Sequence, residues 1–273
     1  CNKLNIALKK INYTKEYKER VFNQFLKDHE IGATPNPDVL CNREIKFDVF
    51  QKHAKEIGAK KIASGHYAKI IEKKNKFCIG KASDISKDQS YFLYQLNSDL
   101  LENIEFPLGD LLKSEVRKIA EDYKLINAQK KDSTGICFIG DRKYNEFVGK
   151  YLKSKKGTIL SIDGEKLGTH TGHMYFTVGQ RKGLGIGARN SAFDKPWYVI
   201  KKDININIIY VGQGAEHPAL FSDELLADNM FWGINIKKNI PLECNAKVRY
   251  RDVDHTCKIL SLNDGKCYVK FEN

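Results

Sequence analysis

Apolar positions along the chain fall into two regimes. Over residues 15–30, Val21, Phe22, Phe25 and Leu26 share one face at helical spacing, and Gly32 supplies a stop. After a Pro-rich turn, Ile45, Val49, Phe50, Ala54 and Ile57 repeat with helical period, ahead of Gly58 at a natural C-cap position. Lys60-Lys61-Ile62-Ala63 then reads as a short strand opening into Ser64-Gly65-His66-Tyr67. A hairpin is expected from Ile70-Ile71 and Phe77-Cys78-Ile79 around a Lys-Lys-Asn-Lys turn. Ser114 is expected to cap a further helix with the face Val116, Ile119, Ala120 and Tyr123. Strands alternating with helices predict an α/β layer with a mostly parallel sheet.

The second regime begins near residue 145. A helix around 145–152 gives way to short strands broken by Gly and Asp, and Gly179, Gly183, Gly185 and Gly187 suit tight turns. From about 216, Cys244–Tyr250, Thr256–Leu262 and Lys266–Phe271 alternate as strands, with Asn263-Asp264-Gly265 as a hairpin turn. The expected division is an α/β domain over 1–143, a central domain over 144–215 and a small β domain over 216–273.

Composition narrows the function classes. The 273 residues carry 46 basic and 34 acidic side chains, a formal charge of +12. That excess suits a polyanion, although a Lys-rich solvated surface would produce it too. No stretch approaches the roughly 18 apolar residues of a membrane span. Seven widely spaced cysteines with no C-x-x-C argue against a zinc ribbon, a thioredoxin motif or a secreted disulfide scaffold, so a reducing cytoplasm is the expected compartment and no metal site is expected.

Two thiols stand out. Cys41 ends Thr34-Pro35-Asn36-Pro37-Asp38-Val39-Leu40-Cys41, where the prolines stiffen the approach and a helix entry near Asn42, with Arg43 and Lys46 close by, would favour thiolate. Asp38, three residues earlier, is placed to move a proton. Cys137 follows the polar turn Ser133-Thr134-Gly135, with Lys130 and Lys131 nearby. For each, an inert structural cysteine is the alternative. His66, the string Lys87-Asp88-Gln89-Ser90-Tyr91 and Arg249-Tyr250-Arg251 combine charge, amide and aromatic groups suited to RNA, but each could equally be ordinary structure. Gly183-Leu184-Gly185-Ile186-Gly187 has the wrong spacing for a dinucleotide fingerprint.

TPNPDVLCNREIKF, ASGHYAKI, KDQSYFLYQL, KDSTGICFIGDRKY and GQRKGLGIG, in that order, closely resemble the signature segments of the bacterial and mitochondrial tRNA-specific 2-thiouridylases. The resemblance implies a PP-loop (adenine nucleotide alpha hydrolase-like, Rossmann-like) α/β domain, a small central domain and a C-terminal β-barrel. It implies ATP-dependent sulfur insertion at C2 of the wobble uridine of tRNAs for Lys, Glu and Gln. Mg2+ would accompany the ATP, and a sulfur-relay protein or cysteine desulfurase would donate the sulfur. By resemblance Cys137 carries a persulfide, Cys41 is the nucleophile that frees its sulfur, and a transient Cys41–Cys137 disulfide results, with Asp38 as general acid/base. Asn36, Pro37 and Asp38 would contact the target base. His66, Lys87, Asp88, Gln89, Arg249 and Tyr250 would contact tRNA, and Gly65 would line the ATP site. The family's Ser-Gly-Gly-x-Asp-Ser-Ser phosphate loop has no counterpart here, and the chain opens on Cys1 rather than Met. The expectation is therefore a PP-loop domain whose N-terminal part lies upstream and a β-barrel that is itself incomplete. These residues alone would then hold the sulfur-transfer half of the reaction without the adenylating half. The competing readings are a non-catalytic tRNA-binding fragment and a redox-active thiol protein.

Overall fold

Two helical runs that begin and end on backbone chemistry frame the first part of the chain. The structure, a computed structural model, describes residues 1–130, 144–186, 195–233 and 240–272. The first run comprises Thr14–Tyr17, a π-helical stretch Lys18–Phe22, and Asn23–Glu30. It buries Val21, Phe22 and Phe25 as the spacing predicts. Gly32, with φ +76°, donates to His29 O, and Ala33 donates to Asp28 O; together these bonds satisfy the final carbonyls. Gly58 and Ala59 close the second run in the same way, bonding Lys55 O and Ala54 O.

The second run departs from the sequence reading in two respects. It starts at Pro37 rather than near Asn42, because proline at the first helical position has the right φ and no N–H to lose. It then passes through a π-helical stretch, Cys41–Val49, before Phe50–Glu56. The wider turn rotates the following face out of the 3.6-residue register. Ile45, Phe47, Gln51 and Ala54 are buried, while Phe50 and Ile57 are exposed.

Between the runs and their neighbours lies a core of Phe47, Ala54, Ile62, Leu93, Leu96, Leu101, Ile104 and Phe106. Strand β1 (Ile62–Ala63) pairs in parallel with β4 (Ile104–Glu105), and β2 (Ala68–Lys73) with β3 (Lys76–Lys81) forms the expected hairpin through Lys74 and Asn75, both at positive φ. Among the described residues of this part, the parallel sheet is thus a two-stranded pair beside a hairpin. The helix Lys113–Asp122 forms as predicted, but Ser114 is not its cap. The Leu112 N–H is accepted by Glu115 (2.6 Å) and the Lys113 N–H by Asp84 (2.9 Å), and Ile119 and Tyr123 remain exposed.

The middle part is a sheet ordered β6-β5-β8-β7, formed by β5 (Gly157–Ser161), β6 (Lys166–His170), β7 (Trp197–Asp203) and β8 (Ile208–Gln213). Its β5–β8 pair is parallel, and Ile159, Val199, Ile209 and Val211 form the centre of its core. The last part is an antiparallel sheet ordered β10-β11-β12-β9, from β9 (Glu224–Ala227), β10 (Leu242–Ala246), β11 (His255–Asn263) and β12 (Lys266–Phe271). Within the expected Asn263-Asp264-Gly265 turn, Asp264 and Gly265 take positive φ while Asn263 pairs with Lys266. The expected strand over 244–250 stops at Ala246, and residues 247–254 leave the sheet as a loop.

Candidate functional site

Cys41 lies one turn inside the second helical run. Its backbone N–H bonds to the carbonyls of Pro37 and Asp38, and it is only 7% exposed, packed with Val21 and Ile45 beneath Tyr13, Tyr17 and Leu40. The expectation of a thiol at a helix entry near Asn42 is thereby corrected. The helix starts early, and the thiol enters a small apolar cluster. Asp38, half-buried, sits three residues before it on the same helix face, while Asn36 is exposed at the N-cap and Pro37 is buried. Arg43 is held to Glu44 (2.7 Å) and Gln95 (2.7 Å), so its charge is already committed.

The loop after β1 brings a second group toward the same helical run. His66 is 8% exposed, its ring between Phe47 and Phe106. Nδ1 lies 2.7 Å from Ser64 Oγ, and Nε2 lies 3.5 Å from Lys46 Nζ. Burial, and then the Lys46 charge, push the imidazole down to about 4, so it is neutral near pH 7. An ammonium can only donate, so Nε2 accepts from Lys46 and Nδ1–H donates to Ser64. His66 thus lies within reach of Lys46 in the loop at the C-terminal end of a parallel strand, where open α/β sheets bind ligands. Gly65 is exposed in that loop, and its nearest side-chain neighbour is Leu108.

The Lys87-Asp88-Gln89 string is built into the fold. Asp88 is 7% exposed; Oδ1 accepts from Ala82 N (2.8 Å) and Oδ2 from Ser90 Oγ (2.6 Å). Gln89 brackets Tyr67, with its Oε1 accepting from Tyr67 N (3.0 Å) and its own N–H donating to Tyr67 O (2.8 Å). Lys87 is half-buried. The segment they fix presents Tyr91 and Phe92, and the 247–254 loop docks on those rings. Tyr250 lies 4.4 Å from Phe92 and 6.0 Å from Tyr91 between centroids, with Arg251 over its ring at 5.5 Å. Arg249 donates to Val178 O of the middle part (2.6 Å), and Asp254 pairs with Lys81. A cleft of about 420 Å³ opens beside this junction, lined in part by Phe77, Tyr91, Tyr94, Lys81, Lys247 and Asp254.

Cys137 and the rest of the 132–138 string lie outside the described residues. No group of three or more His, Cys, Asp or Glu side chains able to hold a metal ion occurs among the described residues, and no helix there is long and apolar enough to cross a membrane.

Comparison with known proteins decides what this arrangement belongs to. Three family models match, described as a tRNA methyl transferase HUP domain over residues 1–141, a tRNA methyl transferase PRC-barrel domain over 145–213 and an Aminomethyltransferase beta-barrel domain over 222–273. Proteins named tRNA-specific 2-thiouridylase MnmA from Klebsiella pneumoniae (strain 342) and Salmonella arizonae are each 47% identical over 273 residues, and one from Shigella boydii is 46% identical. Each match spans 100% of this chain and 74% of the relative. The chain belongs to the tRNA-specific 2-thiouridylase family. A HUP-type α/β domain, a PRC-barrel-type middle domain and a C-terminal β-barrel-type domain are thus its architecture, and the family is one of sulfur transferases.

Among thiouridylase residues, periodicity and motif reading missed the roles of Ser64 and Lys46 as partners of His66, and of Tyr91 and Phe92 as the seat of Tyr250. The available signal was proximity in sequence: Lys46 lies within the Cys41 string and Tyr91 within the Lys87 string. One pH effect follows from the buried imidazoles. His29 is also pushed down to about 4, chiefly by burial and then by Lys202. Groups whose folded pKa is depressed contribute stability above their unfolded value, near 6.5, and lose it as pH falls toward 4. Urea midpoints should therefore hold steady above pH 7 and fall steeply between 6.5 and 4, with a shallower fall in His66→Gln. A His66→Gln slope equal to the parent's would refute the assignment of His66 as a buried neutral imidazole.

Proposed function

We propose that the protein inserts sulfur at C2 of the wobble uridine of tRNA. The observation that carries this reading is the buried Cys41 three residues after Asp38, at the start of a helical run, in a chain 47% identical to named 2-thiouridylases across its whole length. A uracil C2 oxygen leaves poorly, and adenylation by ATP, whose phosphates Mg2+ would neutralise, would turn it into part of AMP; the residues of this chain are proposed for the sulfur-transfer half of the reaction. Sulfur arrives as a persulfide on Cys137 from a sulfur-relay protein or a cysteine desulfurase. The Cys41 thiolate attacks the inner sulfur of that persulfide, forming the Cys41–Cys137 disulfide and releasing hydrosulfide, which attacks C2 and displaces AMP. Asp38 handles the protons, and reduction of the disulfide completes the cycle.

The apolar cluster around Cys41 supports this division of labour, because it keeps water from the sulfur while Asp38, three residues earlier, remains half-buried. Lys46, within reach of His66, is suited to a phosphate at the end of β1, and Gly65 leaves room for the nucleotide there. The net charge of +12, Arg249, Tyr250 and the aromatic cleft beside Tyr91 support a tRNA-binding face. Asn36, Pro37 and Asp38 then meet the target base, and tRNAs for Lys, Glu and Gln in the cytoplasm are the proposed substrates.

The words "methyl transferase" in two matching family descriptions suggest a different product. Methyl transfer needs neither thiol, and the relatives' names specify thiolation. Nucleoside analysis of tRNA from cells with and without the protein separates the two. Loss of 2-thiouridine on deletion is expected, and loss of a methylated nucleoside with 2-thiouridine intact would overturn the reading.

A further inference from the structure

Three of the cysteines that the thiolation chemistry leaves unused lie in the C-terminal sheet. Cys244 on β10 and Cys257 on β11 are direct cross-strand partners, and their sulfurs are 3.6 Å apart. Directly opposed antiparallel residues have Cα atoms roughly 4.5–5.5 Å apart, inside the roughly 4.4–6.8 Å window of a disulfide. Cys257 is 1% exposed and Cys267, on β12, is fully buried, while Cys244 is partly accessible. The two partners also stand two residues beyond Ala246 and His255, the pair that flanks the 247–254 loop, whose Arg249 and Tyr250 reach Val178, Tyr91 and Phe92.

We propose that Cys244 and Cys257 are a thiol-oxidation site, which hydrogen peroxide converts to a cross-strand disulfide that fastens the base of the 247–254 loop. Cys244, the accessible member, reacts first. As thiolate it displaces hydroxide from the peroxide, forming an S–O bond as the O–O bond breaks and becoming a sulfenic acid. Cys257 then attacks that sulfur, the S–S bond forms, the S–O bond breaks, and the Cys257 proton leaves with the hydroxyl as water. Two thiols are oxidised and one peroxide is reduced to two waters. Burial, then the Cys244 sulfur, push the Cys257 thiol up to about 11, which suits the resolving partner better than the first attacker. The reach of the loop gives the bond a consequence: closing its base restricts the segment that ties the C-terminal sheet to the other two parts.

The test treats the purified protein with hydrogen peroxide, blocks remaining thiols under denaturing conditions and maps linked peptides by mass spectrometry. Amide exchange across 247–254 is measured in parallel. A Cys244–Cys257 link is expected, present in Cys267→Ala and absent in Cys244→Ser, with exchange in the loop slowed several-fold on oxidation. A link from Cys257 to Cys267, a link that forms only after unfolding, or thiols that both stay alkylatable would overturn the proposal. An oxidised protein whose loop exchanges as before would overturn its mechanical half. The wild-type peptide map decides the pairing even if a variant fails to fold.

Discussion

Cells whose thiouridylase carries Cys41→Ser are expected to hold tRNA with 2-thiouridine reduced by roughly 10³-fold or more, as expected when a nucleophile is lost. The change exchanges sulfur for oxygen at a site 7% exposed, among Val21, Ile45 and the rings of Tyr13 and Tyr17, so the helical run should keep its shape. A serine hydroxyl cannot release sulfide from a persulfide under the same conditions, because its alkoxide is almost unpopulated near neutral pH. Affinity for tRNA should stay within about twofold, since the proposed contacts at Arg249 and Tyr250 lie elsewhere in the chain and phosphate contacts dominate such binding. The separation of product from binding is the informative part. Serine variants that lose both together would point to a folding defect. Retained 2-thiouridine would remove Cys41 from the chemistry.

Asp88→Ala is expected to lower folding stability by about 3 kcal/mol, read from urea denaturation. The carboxylate is buried, and removing it strands the Ala82 N–H and the Ser90 hydroxyl without an acceptor. These groups hold the segment that carries Tyr91 and Phe92, so the docking of Tyr250 should loosen too. Asp88→Asn keeps one acceptor oxygen for Ala82, and Ser90 can turn its hydroxyl to accept from the amide; the loss there should be about 1 kcal/mol. With Asp88 as a staple, tRNA affinity of the Asn variant should remain near the parent's at temperatures where it is folded. A tenfold loss of affinity in a stable Asn variant would instead make the carboxylate a direct tRNA contact.

These two side chains also mark how far the sequence could be read. Local backbone signals were legible: Gly32 and Gly58 end their helices, and Lys74-Asn75 and Asp264-Gly265 turn their hairpins, because left-handed conformations restrict residue choice. The family was legible from five ordered strings, since motif order carries information that no single spacing does. The burial of Cys41 was not. It depends on a helix that starts at Pro37, ahead of the entry expected near Asn42, and then widens into a π-helical stretch, and a 3.6-residue template reads neither. Polarity marks Asp88 and Gln89 as candidates for RNA but does not reveal that their side chains also bond the Ala82 N–H, the Ser90 hydroxyl and the Tyr67 N–H. The seat of Tyr250 on Tyr91 and Phe92 joins residues more than 150 positions apart, and only the fold brings them together.

The central claim is that Cys41 frees sulfur from a persulfide carried by Cys137. Its most direct measurement loads the purified protein with persulfide from a cysteine desulfurase, removes the donor and follows sulfide release, with peptide mapping of the products. Sulfide release together with a Cys41–Cys137 disulfide is expected, with Cys41→Ser retaining the persulfide on Cys137 without releasing it. Sulfide release by Cys41→Ser at the parent's rate, with no Cys41–Cys137 link in the parent, would contradict that claim.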